Sequence, residues 1–335
     1  MQYKIKNCEI ILNSDCNARC SFCYQPDMET TETSYRMPFK EAAKALYDGR
    51  KRGAQVAYFI GGEITLHPEL PKIIAFAKKV GYPYIQVMSN GLKLADFSYT
   101  KSLIDAGANL FKISLHGYNA AIHDSLVGVP GAYAKIMKAF EHIEKLGAET
   151  TINYTMNKHN YQTVHKFAEL ITEKFKIEDF NIIFPHYTGM MKTNAKMLKV
   201  SVTQAEPYLR KMLEILKKSK VKVENAILIN FCPCNLPEAT HLMTEWEKPD
   251  AMLKDEPMYH LDGYTENIYQ MKEELRTKNK SCAKCIYNKR CMGFENWYVD
   301  VFGPREFKPV IKKVKPVDIR PTYRKIKKMK SMKVS

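Results

Sequence analysis

The chain has 335 residues, of which 45% are hydrophobic and 26% are charged, and its formal net charge is +16. This composition describes an ordinary soluble globular protein, and the length allows one large α/β domain or two smaller ones. No apolar run reaches the roughly 18 residues that a membrane span needs. The first residues do not resemble a signal peptide, so we expect a cytoplasmic protein.

The positive charge is unevenly distributed. Residues 301–335 carry 12 Lys or Arg and two acidic residues, a net charge of +10 out of the total of +16. We therefore expect a basic C-terminal tail over residues 304–335. Such a tail would attract an acidic peptide, RNA or an anionic membrane surface, or it would remain a solvated segment.

Six segments with strand-like apolar patterns follow one another, mostly separated by helical patterns. In chain order they are YKIKNCEIILN, AQVAYFI, YIQVMSN, LFKISLH, ETTINYTMN and FNIIFPHY. Strands that alternate with helices predict a parallel sheet built from right-handed βαβ units. Six units are too few for a closed eight-stranded barrel. The predicted fold class is therefore α/β, with a partial (β/α)6 TIM-like barrel over residues 1–225.

Two helices are predicted in more detail. The helix PFKEAAKALYDGRK is expected to bury a face of Phe39, Ala42, Ala43, Leu46 and Tyr47. The helix TQAEPYLRKMLEILKK has Thr203 and Glu206 at the spacing of a capping box, and its apolar face comprises Leu209, Met212, Leu213 and Leu216. Beyond about residue 225 the periodicity fades, and residues 226–303 are predicted to form a small domain ordered by a metal centre.

Polar or glycine-rich residues stand at the carboxyl end of each predicted strand. In strand order these are the three cysteines of CNARCSFCY, then GGE, SNG and SLHG, then Asn153 with Asn157, and finally His186. The carboxyl ends of parallel strands line the ligand crevice of such folds. The series therefore predicts one shared binding site.

The nine cysteines fall into two separate groups, and without a secretion signal we expect them to be reduced. Cys16, Cys20 and Cys23 have Cys-x3-Cys-x2-Cys spacing, whereas Cys8 lies in an apolar strand pattern and is expected to be a buried small hydrophobe. Thiolates suit zinc or iron–sulfur clusters, and structural zinc normally takes four protein ligands. Three thiolates on a four-iron cluster would leave one iron open for chemistry.

These motifs carry a family resemblance. The Cys-x3-Cys-x2-Cys motif after the first strand, with aromatic Phe22 before its last cysteine, resembles the radical SAM enzymes. The segments GGEITLHPEL, MSNG and ISLHG are similar to later motifs of that family, and the resemblance covers roughly residues 5–220. It implies that Cys16, Cys20 and Cys23 hold a [4Fe-4S] cluster whose open iron binds S-adenosylmethionine.

The resemblance also implies contacts to S-adenosylmethionine. The Glu63 carboxylate would accept a hydrogen bond from the ammonium group, and the backbone near Phe22 and Tyr24 would contact the adenine. The remaining implied cofactor-binding residues are Gly61, Gly62, Ser89, Asn90, Ser114 and Asn153, with Asn157 as a substitute for Asn153.

The second cysteine group comprises Cys232, Cys234, Cys282, Cys285 and Cys291. By spacing alone, a four-thiolate zinc site is a fair interpretation. Cys-x2-Cys-x5-Cys spacing also resembles the SPASM extension of radical SAM enzymes, or its shorter twitch form. That resemblance implies one auxiliary iron–sulfur cluster, and we expect a [4Fe-4S] cluster. The expected ligands are Cys234, Cys282, Cys285 and Cys291, with Cys232 as the alternative to Cys234.

The resemblance implies reductive cleavage of S-adenosylmethionine to a 5′-deoxyadenosyl radical, which abstracts a hydrogen atom from a substrate. The first hypothesis is a maturase that acts on a peptide or protein, and the alternative is an enzyme that acts on a small metabolite, nucleotide or lipid. A third hypothesis, an iron–sulfur electron-transfer or scaffold protein, is opposed by Glu63 and the complete cysteine motif. The expected electron donor is a flavodoxin or ferredoxin.

Overall fold

The structure is a computed structural model that describes residues 7–25, 35–175, 177, 179–220, 223, 227–244, 246–248, 257–259, 265–267 and 273–321. The last 14 residues of the predicted basic tail lie outside the described residues.

Eight parallel strands follow one another across a single sheet in chain order. They are β1 (Asn7–Ile11), β2 (Val56–Ile60), β3 (Tyr84–Ser89), β4 (Leu110–Ser114), β5 (Glu149–Thr155), β6 (Phe180–Ile183), β7 (Leu228–Ile229) and β8 (Met243–Thr244). Beside β1, the sheet adds β9 (Pro257–Tyr259) in parallel and then β10 (Thr265–Asn267) in antiparallel orientation. The parallel strands curl into a half-barrel, which confirms the predicted partial TIM-like fold.

Helices connect most of the strands. They are α1 (Phe39–Lys51), α2 (Leu70–Lys79), α3 (Phe97–Ala106), α4 (Ala120–Val127), α5 (Ala132–Lys145), α6 (Val164–Glu169), α7 (Gly189–Thr193), α8 (Ala195–Leu198), α9 (Val202–Lys218) and α10 (Asn296–Phe302). In the C-terminal region, β11 (Arg276–Thr277) pairs with β12 (Phe294–Glu295) in a separate two-stranded sheet.

The two faces of the half-barrel differ in chemistry. The face toward the helices is apolar and fully buried, as Ile10, Phe59 and Phe111 show. The opposite, concave face is polar toward the carboxyl ends of the strands, where Ser114 pairs in register with Asn153. Because side chains alternate along a strand, one sheet supplies both the hydrophobic core and a polar interior.

The buried face of α1 is rotated relative to the prediction. Ala42 and Leu46 are buried as expected, but Tyr47 is 41% exposed and the buried residues also include Ala45 and Gly49. A side chain at position 49 would meet the sulfur of Cys8. Close packing of α1 on β1 at this point turns Tyr47 outward. Cys8 itself is buried in the core, as predicted.

Helix α9 begins before the predicted capping box. The capping box uses Ser201 and Gln204, not Thr203 and Glu206. The Thr203 backbone N–H donates instead to Glu306, over a distance of 3.2 Å, and the Thr203 hydroxyl donates to the same carboxylate oxygen. A partner that lies 103 residues away is invisible in the local sequence pattern. The predicted apolar face of α9 is buried throughout.

The sheet continues beyond residue 225 through β7 and β8, so the parallel arrangement outlasts the six predicted units. Trp246, Phe294 and Tyr298 belong to the same hydrophobic core as the barrel strands. The division into a barrel over 1–225 and a cysteine-rich domain over 226–303 stays a prediction. Within the described parts of the chain, no helix is long and apolar enough to span a membrane.

Candidate active site at the carboxyl edge of the half-barrel

The first three-cysteine group lies in a loop directly after β1. The thiols of Cys16, Cys20 and Cys23 are close enough to influence one another electrostatically. Burial raises the pKa of Cys16 to about 11, and the charges of Glu63 and Cys23 add to the effect. Burial also raises the pKa of Cys20 and of Cys23. The loop therefore gathers three soft donors in a desolvated pocket.

The donor set of this loop suits an iron–sulfur cluster in its chemistry. Thiolates are soft ligands that bind iron–sulfur clusters or zinc. Structural zinc normally takes four protein ligands, whereas this loop supplies three desolvated thiols. Cys16, Cys20 and Cys23 therefore fit an iron–sulfur group by the chemistry of their side chains.

The segment Gly61–Gly62 packs directly on the start of the cysteine loop. The Gly62 N–H donates to the Asn13 carbonyl at 2.8 Å, and the Glu63 N–H donates to the Asp15 carbonyl at 2.7 Å. A side chain at position 62 would stand 2.2 Å from the Asp15 carbonyl oxygen. Because residue 62 is glycine, it can pack directly against the backbone of the cysteine loop. A contact of Gly61 or Gly62 with a cofactor stays a prediction.

Glu63 is a buried carboxylate held by four hydrogen bonds. Its Oε1 atom accepts from the Thr65 backbone N–H, the Thr65 hydroxyl and the Ser89 hydroxyl, whereas Oε2 accepts from the Asn90 N–H at 2.6 Å. Burial raises the pKa of Glu63, although these hydrogen bonds oppose the rise. With a single donor on Oε2, that oxygen keeps the capacity to accept from a cationic ligand.

Ser89 and Asn90 act on Glu63 and on the cysteine loop. The Ser89 hydroxyl donates to Glu63 at 2.7 Å, and it accepts from the Gly91 N–H at 2.9 Å. The Asn90 amide donates to the Asn17 side chain at 2.7 Å and lies 3.9 Å from the Cys16 sulfur. Both predicted residues lie at the site, where they position other groups in this structure.

The remaining predicted contacts lie on the next strands. Ser114 pairs in register with Asn153, whose side-chain oxygen accepts from the Asn181 amide at 2.9 Å. Asn157 is fully buried, and its side-chain oxygen accepts from the His159 N–H at 2.9 Å. The Asn157 amide nitrogen is buried without a hydrogen-bond partner among the described residues. Asn153 faces the concave side, whereas Asn157 shapes the following turn.

Phe22 and Tyr24 differ in their surroundings. Phe22 is buried, and its ring packs edge-on against His116 at 4.6 Å between centroids. Tyr24 is 50% exposed, and its carbonyl oxygen accepts from the Thr188 hydroxyl at 3.2 Å. A contact between adenine and the backbone near Phe22 and Tyr24 stays a prediction.

Two buried histidines support Phe22 and were not singled out as a pair by the sequence. His116 Nδ1 accepts from the Thr155 N–H at 3.0 Å, and His123 Nδ1 accepts from the His116 N–H at 3.1 Å. Burial lowers the pKa of His123 to about 4 and the pKa of His116 well below its ordinary value. Both rings are therefore neutral at physiological pH and serve as hydrogen-bond acceptors beneath the cysteine loop.

The second cysteine group is also brought together. Electrostatic interactions connect Cys234 with Cys282, Cys285 and Cys291. Cys232 is buried, donates to the Gly293 carbonyl at 3.1 Å and lies beside Cys291. The neighbouring Cys232 thiol lowers the pKa of Cys291, and the Gly293 N–H contributes to the shift. All five predicted candidates therefore gather in one region.

A buried ionic network joins this region to the barrel edge. Arg276 has a side chain that is 1% exposed, and it donates to Asn230 at 2.6 Å and to the Gly293 carbonyl at 3.2 Å. Glu295 pairs with His186 at 2.8 Å and lies 3.8 Å from Arg276. His186, predicted at the end of the sixth strand, thus contacts the cysteine-rich region. Sequence reasoning missed Arg276 and Glu295, for which no local signal exists.

These features define an α/β half-barrel with a three-cysteine loop at the carboxyl edge of its parallel strands. The family model of the Radical SAM superfamily matches residues 10–171, a stretch that contains the loop and Glu63. This segment, slightly less than half of the chain, is therefore similar to the radical SAM superfamily. That similarity implies a [4Fe-4S] cluster and S-adenosylmethionine as cofactors.

Curated relatives resemble the chain over about half of its length. A probable GTP 3′,8-cyclase from Sulfolobus acidocaldarius is 25% identical over 190 residues, which are 56% of this chain and 59% of that relative. An Fe-coproporphyrin III synthase from Methanosarcina barkeri is 26% identical over 159 residues, 48% of this chain and 39% of the relative. The similarity thus spans only part of each relative.

Solved structures share the fold over most of the chain. Streptococcus suis SuiB bound to its precursor peptide SuiA superposes with a TM-score of 0.60 at 16% identity, over 91% of this chain and 75% of SuiB. The anSMEcpe structure with bound AdoMet and the Kp18Cys peptide gives a TM-score of 0.58 at 18% identity, over 90% of this chain and 95% of anSMEcpe.

Proposed function

We propose that the protein is a radical SAM enzyme that abstracts a hydrogen atom from a bound substrate. One observation carries the proposal: three desolvated thiols share a loop beside the buried carboxylate of Glu63, at the carboxyl edge of a parallel half-barrel. When bound, the [4Fe-4S] cluster and S-adenosylmethionine supply the 5′-deoxyadenosyl radical that takes the hydrogen atom.

The residues of the chain bind and orient the cofactors. Cys16, Cys20 and Cys23 would hold the cluster as thiolates. Glu63 is fixed by Thr65, Ser89 and the Asn90 N–H, so its Oε2 atom is ready to accept from the ammonium group of S-adenosylmethionine. A cation at this position offsets the cost of burying the Glu63 charge. Ser114 and Asn153 on the polar concave face are the candidates for further cofactor contacts.

The second cysteine group would hold one auxiliary iron–sulfur cluster in a SPASM- or twitch-like region. Cys234, Cys282, Cys285 and Cys291 are the proposed ligands, with Cys232 as the alternative to Cys234. The proposal is supported by the interactions of Cys234 with the other three thiols, whereas Cys232 is engaged with the Gly293 carbonyl. A four-thiolate zinc site is the competing assignment.

A peptide or protein is the first candidate substrate. It is supported by the shared fold with SuiB, whose structure contains a precursor peptide, over 91% of this chain. A small molecule such as a nucleotide is the second candidate. It is supported by the sequence similarity to probable GTP 3′,8-cyclases and by the polar concave face with Lys112, Asn153 and Asn181. We also propose a flavodoxin or ferredoxin as electron donor and a cytoplasmic location.

The first experiment measures 5′-deoxyadenosine formed from S-adenosylmethionine by the anaerobically reconstituted, dithionite-reduced protein. We expect product from the wild type and none from the Cys16→Ala/Cys20→Ala/Cys23→Ala variant. Glu63→Gln should weaken S-adenosylmethionine binding by about 10- to 100-fold, because one charge-assisted hydrogen bond is lost. Glu69→Gln is the matched control, since Glu69 is a neighbouring, partly exposed carboxylate paired with Lys72. Absence of product from the wild type would refute the proposal.

The second experiment separates the substrate candidates. GTP and a synthetic peptide translated from any short reading frame found beside the gene are each added to the reconstituted protein. Stimulation of 5′-deoxyadenosine formation by the peptide favours the maturase, and stimulation by GTP favours the nucleotide alternative. Transfer of deuterium from the labelled substrate into 5′-deoxyadenosine identifies the hydrogen that is removed.

A further inference from the structure

The cysteine loop contacts a segment that follows β6, residues 188–194, which we name the clamp segment. Three consecutive carbonyl groups of the loop accept hydrogen bonds from it. The Cys23 carbonyl accepts from the Met191 N–H at 3.1 Å, and the Gln25 carbonyl accepts from the Met190 N–H at 3.1 Å. The Tyr24 carbonyl between them accepts from the Thr188 hydroxyl at 3.2 Å.

A fourth hydrogen bond extends the contact toward Cys20. The Asn194 side-chain amide donates to the Ser21 carbonyl at 2.8 Å. The clamp segment thus satisfies carbonyl groups on both sides of Phe22. Backbone groups held in this way cannot shift independently of the segment that holds them.

Gly189 makes this close contact possible. A side chain at position 189 would stand 2.2 Å from the Gln25 carbonyl oxygen and 2.3 Å from the Tyr24 carbonyl oxygen. Its φ of +51° also lies in the left-handed region, which glycine adopts without strain. Any other residue would push the clamp segment away from the loop.

The three cysteines have different supports. The backbone beside Cys16 rests on the Gly61–Gly62 side, through the bond from the Glu63 N–H to Asp15. The backbone around Cys20 rests on α4, since the Arg19 and Ser21 N–H groups donate to the Val127 and Leu126 carbonyls. For Cys23, the carbonyl group bonds to the clamp segment, and its N–H bonds to the Cys20 carbonyl within the loop.

We propose that the clamp segment is a positioning element that keeps Cys23 where the third thiolate ligand of the cluster is needed, and that Gly189 is the residue on which this positioning depends. The inference rests on the proposed function, because it assumes that the three-cysteine loop holds a cluster. The clamp segment begins two residues after His186, which pairs with Glu295. The segment that holds the Cys23 carbonyl therefore begins close to a residue that contacts the cysteine-rich region.

The test compares Gly189→Ala with Gly147→Ala. Gly147 has a φ of +74°, and a methyl group on its Cα would meet no atom within 4 Å, so alanine there introduces the same kind of backbone strain without a collision. Each protein is reconstituted anaerobically. Iron and sulfide per chain, the rate of iron loss to a chelator, the EPR spectrum of the reduced cluster and the melting temperature are measured.

We expect Gly189→Ala to lose iron from the first cluster at least about tenfold faster than the wild type, the equivalent of one or more lost hydrogen bonds. Gly147→Ala should retain iron as the wild type does. Equal retention by Gly189→Ala and the wild type would overturn the inference while leaving the proposed function intact. A wild type that binds no cluster in the first group would instead refute the proposed function.

Thr188→Val keeps the inference testable if Gly189→Ala does not fold. The substitution preserves the shape of the side chain and removes the hydroxyl donor to Tyr24. We expect about fivefold faster iron loss and an altered EPR spectrum of the first cluster, with an unchanged melting temperature. Thr193→Val, which removes a hydroxyl of the same segment that donates to the Gly189 carbonyl within the turn, is the matched control. Identical iron loss in both variants would overturn the inference.

Discussion

The loop with Cys16, Cys20 and Cys23 is held chiefly by backbone hydrogen bonds, whereas the second cysteine region, Cys232 to Cys291, is braced by buried charged side chains. In the first region, the bonds join the loop to Gly62, Glu63, Leu126 and the clamp segment. In the second, Arg276 and Glu295 connect the region to β6 and β7 through His186 and Asn230. Backbone contacts depend on chain geometry, and ionic contacts depend on particular side chains.

The thiols of the two regions also differ in their electrostatics. Burial raises the pKa of Cys16, and the nearby negative charges of Glu63 and Cys23 raise it further. In the second region, burial likewise raises the pKa of Cys234 to about 12 and raises the pKa of Cys282. By contrast, the neighbouring Cys232 thiol lowers the pKa of Cys291, and the positive charges of Lys278 and Arg276 contribute to that shift. The two regions therefore differ chiefly at Cys291.

The largest expected effect tests whether the two regions are separate metal sites. After anaerobic reconstitution, the wild type should contain about eight irons per chain. The Cys16→Ala/Cys20→Ala/Cys23→Ala and the Cys282→Ala/Cys285→Ala/Cys291→Ala variants should each contain about four. About four irons in the wild type, lost only in the first variant and accompanied by zinc, would make the second region a zinc site.

The second prediction tests the ionic bracing. Arg276→Met should lower the free energy of unfolding by about 3–5 kcal/mol, because it leaves the buried Glu295 carboxylate without its guanidinium partner. Arg320→Met is the control, since the Arg320 side chain is 93% exposed and pairs with Asp318 at 3.7 Å. The control should change stability by at most about 0.5 kcal/mol. Denaturant titration followed by circular dichroism measures both, and equal effects would show that the network does not stabilise the region.

The third prediction concerns pH and the first region. His116 and His123 are neutral when folded because burial lowers the pKa of each. The unfolded chain binds protons on both below pH 6.5, so stability falls as the pH drops from 6.5 toward the folded pKa of His123, about 4. At about pH 5.5 the loss is about 1.4 kcal/mol per histidine.

His123→Asn provides the test, because the asparagine oxygen accepts the same backbone hydrogen bond without titrating. The melting temperature of this variant should fall less than that of the wild type between about pH 7.5 and about pH 5.5. The exposed His159→Asn is the control and should follow the wild type. If the melting temperatures of all three proteins fell equally over this pH range, the histidine pair would not be the cause of the loss of stability.

The smallest expected effect concerns the junction between α9 and the end of the cysteine-rich region. Glu306 accepts from the Thr203 N–H, the Thr203 hydroxyl and, at 2.7 Å, the Tyr298 hydroxyl. Glu306→Gln should cost about 1 kcal/mol, because a charged helix cap is lost while the shape is kept. Glu214→Gln, on an exposed part of α9, should be neutral. Equal melting temperatures of both variants would contradict a capping role.

Part of the site could be predicted from the sequence because its signals are local. Cys16, Cys20 and Cys23 lie in one short motif directly after an apolar strand, and Glu63 follows the next strand. Parallel strands bring their carboxyl ends to one edge, so residues that follow different strands meet there. That rule accounts for the contact of Glu63 with Ser89 and Asn90 at 2.7 and 2.6 Å.

The precise helix faces and caps were not predictable in this way. The α1 face was rotated by the packing of Gly49 on Cys8, and the α9 cap moved to Ser201 while Glu306 took Thr203. In both cases the deciding partner is distant in the sequence. A sequence pattern of three or four residues contains no information about such a distant partner.

The sequence alone determined the class of fold, the radical SAM motif and the division of cysteines into two groups, because strand alternation and ligand spacing are properties of short segments. Only the tertiary structure decided what supports those groups: the clamp segment on Cys23, the neutral histidines under Phe22 and the buried charges of Arg276 and Glu295. These contacts join residues that are far apart along the chain. Their energies depend on burial and geometry, which exist only in the folded chain.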